Sequence, residues 1–345
     1  MKVKLFSDLT KIKAAPSCGY VFPLLELLHD ETSELHQYYE FTSIEDCDYI
    51  ALPLTVDYVV QHDTAYFHSI FEKSVVLNKK VLVFSASDVG KTINHPNCIT
   101  IRLGGFKSKF ENTTYIMPPF INDPYVFLGK EVDYLSKEAV PAIGFVGHSN
   151  GSLIKLAKEF LIYARFTLQL ILKKHYFDYQ SFYPSSYYRF TYLNILARSK
   201  TVVTHFIYRK KYRAGVTSSE TRLQTTKEFF DNIYGNPYTF CLRGTGNFSV
   251  RLYETLAMGR IPVVMNTDCQ FPFEELIQWD NHCLIIEEKN INSIEKELCQ
   301  FHAKFTDLEF VAIQKANRKL WEDYFTKKTF FIKLSFDLLY KKYNS

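Results

Sequence analysis

Arg243, Gly244, Thr245, Gly246, Asn247, Ser249, Arg251 and Glu254 crowd one short stretch of this 345-residue chain. Their types and spacing suit an anion that carries a second polar group. The run from Cys241 to Val264 reads as strand, glycine loop, short helix, strand. Gly244 and Gly246 open the loop. Ser249 suits the N-cap of a helix running to about Met258. Gly259 then falls at the position after the helix, and Pro262 lies just beyond. The next strand is expected over Ile261–Met265. Free backbone N–H groups and the positive helix end converge on one point, which is how helix N-termini hold phosphate. Arg243 and Arg251 add charge. Arg251 and Glu254, three apart, share a helix face. Glu254 could therefore accept from ribose hydroxyls beside the phosphate, or form a salt bridge to Arg251. The pattern is neither G-x-G-x-x-G nor a Walker loop, because no Gly-Lys-Ser/Thr follows. A glycine turn of this kind also serves as a plain connection in many βαβ units.

The run continues through Asp268 and Pro272 to Trp279, and in full it resembles the signature of the exostosin-like glycosyltransferases. Arg243-Gly244, Ser249, Arg251, Glu254, Gly259, Pro262, Asp268, Pro272 and Trp279 carry the resemblance. It is strong over about 40 residues. A weaker likeness to bacterial members extends upstream through Leu52-Pro53, Ser87-Asp88, Met117-Pro118-Pro119 and Gly144-Phe145-Val146-Gly147. The resemblance implies sugar transfer from a nucleotide diphosphate donor, with inversion at the anomeric carbon. It implies a glycan or lipid-linked glycan acceptor, in the synthesis of a surface polysaccharide such as capsule or lipopolysaccharide. It also brings the basic segment Tyr208–Gly215 into the cleft, with Arg209 and Arg213 as phosphate ligands. Arginine grips phosphate with two parallel bonds where lysine offers one. Left to composition alone, the same segment is a solvated charge run.

An inverting transfer needs a base facing the leaving group. Acids and imidazoles just beyond strand ends are the candidates. Asp88 comes first, in the loop Ser85–Lys91. Asp8 comes second, after the opening strand. His148 follows the first strand of the second half and could touch donor or acceptor. Turn and N-cap duty is the ordinary alternative for both aspartates. One Asp-x-Asp pair exists, Asp46 and Asp48. It precedes its strand and lies at the edge away from the ligand, so a turn is expected and no metal ligand is assigned. Activity without a metal or other cofactor is the expectation, with cations and the helix end stabilising the leaving group.

The elements that must position these groups alternate. Strands are expected at Val3–Phe6, Tyr49–Leu54, Val81–Ser85 and Cys98–Leu103, with helices at Val21–Leu28 and Ala65–Leu77. A linker runs over Asn122–Val140. The second half repeats the alternation: strand Ala142–Val146, helix Leu153–Lys173, helix Glu220–Asn232, strand Tyr238–Leu242, the glycine-loop unit, strand Cys283–Ile286, and helices Ile291–Phe305 and Asp307–Phe325. Such alternation argues parallel doubly wound sheets. The fold class is α/β. The resemblance makes it a GT-B fold, two Rossmann-like domains facing a cleft. Residues 1–135 form the acceptor side, completed by the crossing helix 328–345. Residues 136–327 form the nucleotide-sugar side. Phe330, Phe331, Leu334 and Leu338 give that last helix an apolar face, for the protein or, with its flanking lysines, for a membrane surface.

Composition narrows the classes. The chain is 47% hydrophobic and 16% aromatic, with a net charge of +4. That balance suits anionic substrates and does not call for nucleic acid. Seven cysteines without a C-x-x-C pair point to free thiols and a cytoplasmic setting, one that could extend to peripheral contact at the inner membrane face. The stretch Phe160–Leu172 is too short and too polar to span a bilayer. Two other functions fit the same residues: a nucleotide- or carbohydrate-binding protein without catalysis, and a nucleotide-sugar hydrolase or epimerase.

Overall fold

The computed structural model describes every residue except 111–112, 173–174, 211–214, 216–217 and 345. Among the described residues the strands form two parallel sheets. The first holds β1 (Val3–Phe6), β2 (Tyr39–Phe41), β3 (Tyr49–Ala51), β4 (Lys80–Ser85), β5 (Cys98–Arg102) and β6 (Thr114–Ile116), in the order β2-β1-β3-β4-β5-β6. The second holds β7 (Ala142–His148), β8 (Val203–Arg209), β9 (Tyr238–Cys241), β10 (Ile261–Asn266) and β11 (Leu284–Glu287), in the order β11-β10-β9-β7-β8. Both sheets thus follow one winding, in which the first strand sits between the second and third. The order reverses between β1 and β3 in one sheet and between β7 and β9 in the other. Doubly wound sheets open a ligand crevice at that switch point, beyond the carboxyl ends of the strands.

The central strands are apolar without alternation because helices cover both faces. β5 and β9 are buried at every residue. Asp307–Leu320 runs through a π-helical turn, Trp321–Phe325, into a final helix over Lys327–Asn344. That helix packs on the first sheet. Phe330, Phe331, Leu334 and Leu338 are fully buried there. The hydroxyls of Tyr39 and Tyr49 donate to the carbonyls of Phe331 and Leu338, at 2.6 and 2.7 Å. The apolar face that could have met a membrane is therefore spent on the protein. Two parallel Rossmann-like sheets, joined by a last helix that returns to the first, make this a GT-B fold.

Several elements have no counterpart in the pattern of residues. The linker contains a short helix, Pro124–Leu128, capped by the Asp123 carboxylate. A helix spans Ser185–Ala197, and β8 occupies the stretch that runs into the basic segment. β2 and β6 are three residues each, too short for a pattern to register.

Candidate functional site

β9 ends at Cys241 and the chain turns through Leu242–Phe248 into the helix Val250–Ala257. This places the glycine loop at the carboxyl edge of the second sheet, beside the β7–β9 switch point. Gly259 closes the helix at φ +61°. Ser249 holds the N-cap position in extended backbone, yet its side chain makes no cap bond. Its hydroxyl is thus left over at the helix mouth. A Cβ on Gly244 would meet nothing within 4 Å, so this side of the loop is open. A Cβ on Gly246 would lie 2.1 Å from the carbonyl oxygen of Asp88. Only glycine lets the Asp88 loop of the first sheet come this near.

The charged residues divide sharply in role. Arg243 is 3% exposed. Its Nη2 donates to Gln180 Oε1 and to the Thr245 carbonyl, both at 2.9 Å. Its guanidinium lies 4.6 Å from the Tyr183 ring and 5.3 Å from the Phe106 ring. Arg243 therefore shapes the loop from within. Arg251 turns away from the loop. Its Nη2 donates to the Val146 carbonyl at 2.8 Å, and its guanidinium packs 4.5 Å from the Phe145 ring. The expectation that Arg251 adds charge at the loop gives way to this, because the end of β7 offers it a carbonyl and an aromatic face. No Arg251–Glu254 ion pair forms among the described residues, so a shared helix face does not bring contact here. The Glu254 carboxyl accepts no hydrogen bond from any described residue. Burial pushes its carboxyl up to about 7, with the nearby Arg251 charge acting in the opposite sense. A carboxyl so placed is costly unless something donates to it.

Asn247 is fully buried and bridges the sheets. Its Nδ2 reaches the carbonyls of Gly105, Thr267 and Asp268, at 3.1, 2.8 and 3.0 Å. Its Oδ1 accepts from Thr267 Oγ1 at 2.6 Å. Thr245 is exposed at the loop tip.

Asp88 is exposed at the carboxyl end of β4, with its loop against Gly246. Asp8 follows β1 but is engaged locally. Its Oδ1 accepts from the Thr10 backbone N–H at 3.1 Å and from the Thr10 hydroxyl at 2.6 Å, capping the helix Leu9–Lys13. His148 ends β7, and its Nε2 pairs with Lys155 Nζ. Burial lowers its pKa, and the charges of Lys155 and Arg189 lower it further. Arg209, at the end of β8, gives its Nη2 to the Thr225 carbonyl and to Glu228 Oε2, both at 2.7 Å. That commitment holds it to the helix Ser219–Tyr234 and not to the glycine loop. Arg213 lies outside the described residues. Asp48 accepts from the Lys4 backbone N–H at 2.9 Å and pairs with Lys342 at 2.7 Å, while Asp46 accepts from Ser43 at 2.9 Å. Both lie at the edge of the first sheet opposite the crevice.

Three organising residues escaped the sequence. Asp57 accepts from Ser85 Oγ at 3.1 Å and from the Ala86 N–H at 3.0 Å, and so carries the Asp88 loop. Arg102, 2% exposed, donates to the carbonyls of Val89 and Gly104, both at 2.7 Å, and pairs with Asp178 at 3.0 Å. Arg189 donates to the Arg243 carbonyl at 2.8 Å. A charged residue closing an otherwise apolar strand, as Arg102 does, was the visible signal. Arg189, inside an aromatic run, gave none.

A family model for the Exostosin GT47 domain matches residues 202–300. That interval contains the glycine loop, the Val250–Ala257 helix and Glu254. Over that interval the chain is similar to the exostosin GT47 domain. Curated relatives agree over the same scale of match. A probable glucuronoxylan glucuronosyltransferase of Arabidopsis thaliana is 35% identical over 78 residues, which is 23% of this chain and 16% of that protein. Exostosin-1 of Bos taurus is 30% identical over 90 residues, 26% of this chain and 12% of that protein. The chain thus matches under a fifth of the length of either relative. Among solved structures, a glycosyltransferase from Rickettsia africae aligns over 98% of this chain and 99% of its own, at 13% identity and a TM-score of 0.39. Anabaena HepE, crystallised with UDP, aligns over 98% of this chain and 100% of its own, at 7% identity and a TM-score of 0.37.

Proposed function

We propose that this chain is a glycosyltransferase that moves a sugar from a nucleoside diphosphate to a glycan or lipid-linked glycan acceptor. The observation that carries this is Glu254. Glu254 is half-buried beside the switch-point crevice, its carboxyl raised to about 7 by desolvation and without a donor among the described residues. Ribose hydroxyls are donors of the right kind. The N-terminus of the Val250–Ala257 helix, with the idle Ser249 hydroxyl and the open side of Gly244, lies next to it for the diphosphate. The exostosin match covers these same residues.

Residues 136–327 form the donor side in this reading. Residues 1–135 with the helix 328–345 form the acceptor side. The acceptor oxygen attacks the anomeric carbon as its proton passes to a base. The bond to the diphosphate breaks, and the nucleotide leaves with the electron pair. Asp88 is the base, because its loop meets the glycine loop across the crevice while its carboxylate remains exposed. Asp8 is second, since Thr10 already occupies one of its oxygens. The displacement inverts the anomeric carbon, and no metal takes part. Described cysteines carry free thiols, which suits a cytoplasmic setting. Surface polysaccharide synthesis is the process this would serve.

The test is nucleotide release from UDP-sugars and GDP-sugars, measured with and without oligosaccharide acceptors. Acceptor-dependent release supports transfer. Release that ignores acceptor would make the protein a hydrolase. Binding of UDP or GDP without release would make it a binding protein. Binding unchanged in Glu254→Gln would remove the donor site from this loop.

A further inference from the structure

The helix Leu153–Ile171 buries none of its residues. Leu153, Ile154, Phe160, Leu161, Leu168 and Ile171 are each 51–72% exposed. At 100° per residue they fall within an arc of about 120°, a continuous apolar face roughly 28 Å long. The opposite side of the helix rests on the protein. The Tyr163 ring sits 5.3 Å from Phe182, Phe166 sits 5.3 Å from His175, and Glu159 accepts from Ser186 at 3.0 Å. The helix is therefore held in place with its apolar arc turned outward.

Charge says what covers the arc. Lys158 and Arg165 are exposed along one edge and form no ion pair among the described residues. Glu159, the acid of this helix, is already paired with Lys155 at 3.6 Å. The sequence continues into Lys173 and Lys174. A second copy packed antiparallel on this face would set Lys158 against Arg165, and a parallel copy would set each cation near its own twin. Neither arrangement supplies an acid. No helix among the described residues is long and apolar enough to cross a membrane. An apolar arc edged by unpaired cations fits a helix lying flat in an anionic lipid surface, with its side chains among the acyl chains and its cations at the headgroups.

We propose that the Leu153–Ile171 helix docks the protein on an anionic membrane surface. The helix begins at the Ser152 cap, four residues after His148 at the end of β7. Docking would set the carboxyl edge of the second sheet beside the lipid. The proposal stands apart from the transfer chemistry and needs no substrate to test.

The full chain is sedimented with vesicles of phosphatidylcholine alone and of phosphatidylcholine with phosphatidylglycerol, at low and high salt. Binding to the mixed vesicles that weakens with salt is expected. The double variant L161S/L168S should lower the bound fraction about tenfold. K158E/R165E should abolish the preference for phosphatidylglycerol. Both variants should keep the wild-type circular dichroism and melting curve, because all four side chains are exposed. Absence of vesicle binding, equal binding to both compositions, or unaltered binding in the variants would overturn the proposal. So would a dimer, seen by analytical ultracentrifugation, that dissociates in L161S/L168S. That result would mean a second copy covers the face.

Discussion

Ser249 occupies an N-cap position without capping. Replacing a working cap by alanine costs about 1 kcal/mol of stability, but here no such bond exists to lose. Ser249→Ala should therefore leave the melting temperature unchanged and weaken UDP or GDP binding by a few-fold, the worth of roughly one hydrogen bond. Calorimetry beside a melting curve separates the two effects. A lower melting temperature with unaltered affinity would assign the hydroxyl to the fold. Glu254 adds a pH signature. Its folded-state pKa lies above the ordinary carboxyl range, near 7. The carboxyl therefore favours the fold below that range and weakens it as pH rises through 7. Denaturation from pH 5 to pH 8 should show wild type losing stability relative to Glu254→Gln. Nucleotide affinity should tighten over the same interval in wild type, as the ionised carboxylate gains its donors, and respond less in the variant. Asp88→Asn should lower turnover by about 10²–10⁴-fold with nucleotide affinity near wild type. Retained turnover would move the base elsewhere. At this scale the sequence located the loop but could not sort its charges. Arg243, Arg251 and Arg209 look alike in a string of letters. Their partners, Gln180, Val146 and Glu228, come from other elements and only folding brings them in.

At the scale of elements, the loops after β5 and β10 clasp each other across the crevice. The Lys107 N–H donates to the Asp268 carbonyl at 2.9 Å, and the Asp268 carboxylate accepts from the Ser108 hydroxyl at 2.5 Å. Asn247 adds its bridge to Gly105. Beneath the glycine loop only about 20 Å³ of space remains, lined by Arg243, Asn247, Ser249 and Gln270 among others. That is room for one water and not a nucleotide. Parting the clasp is a natural step before a ligand enters. Asp268 sits at φ +64°. Asp268→Gly keeps that turn and the Lys107 N–H bond to its carbonyl, and removes the carboxylate that holds Ser108. It should raise the association rate of UDP or GDP in stopped flow, with a modest fall in melting temperature. An unchanged rate would mean that the ligand enters without parting these loops. The βαβ rhythm was readable because buried parallel strands are unbroken apolar runs. β8 was not, because an edge strand is half exposed and its Tyr208 and Arg209 merge into the basic stretch beyond. The Ser185–Ala197 helix was hidden by aromatic and β-branched residues with little helical preference.

For the whole molecule, the returning helix decides whether the first sheet is finished. Its Phe330 and Phe331 lie with Phe22, Phe84 and Phe120 in one core. The apolar face of this helix was legible in the sequence, and the resemblance returned it to the first domain; the particular residues that bury it were not, since only the three-dimensional path brings residue 330 back to residue 22. The geometry carries a consequence for synthesis. The last strand of the first sheet ends at Ile116, and its covering helix starts at Lys327. At about 5–20 residues per second, the ribosome takes roughly 10–40 s to bridge that gap of about 200 residues. Throughout that time the nascent first domain must keep an uncovered aromatic floor. That interval is when a holding chaperone would matter most.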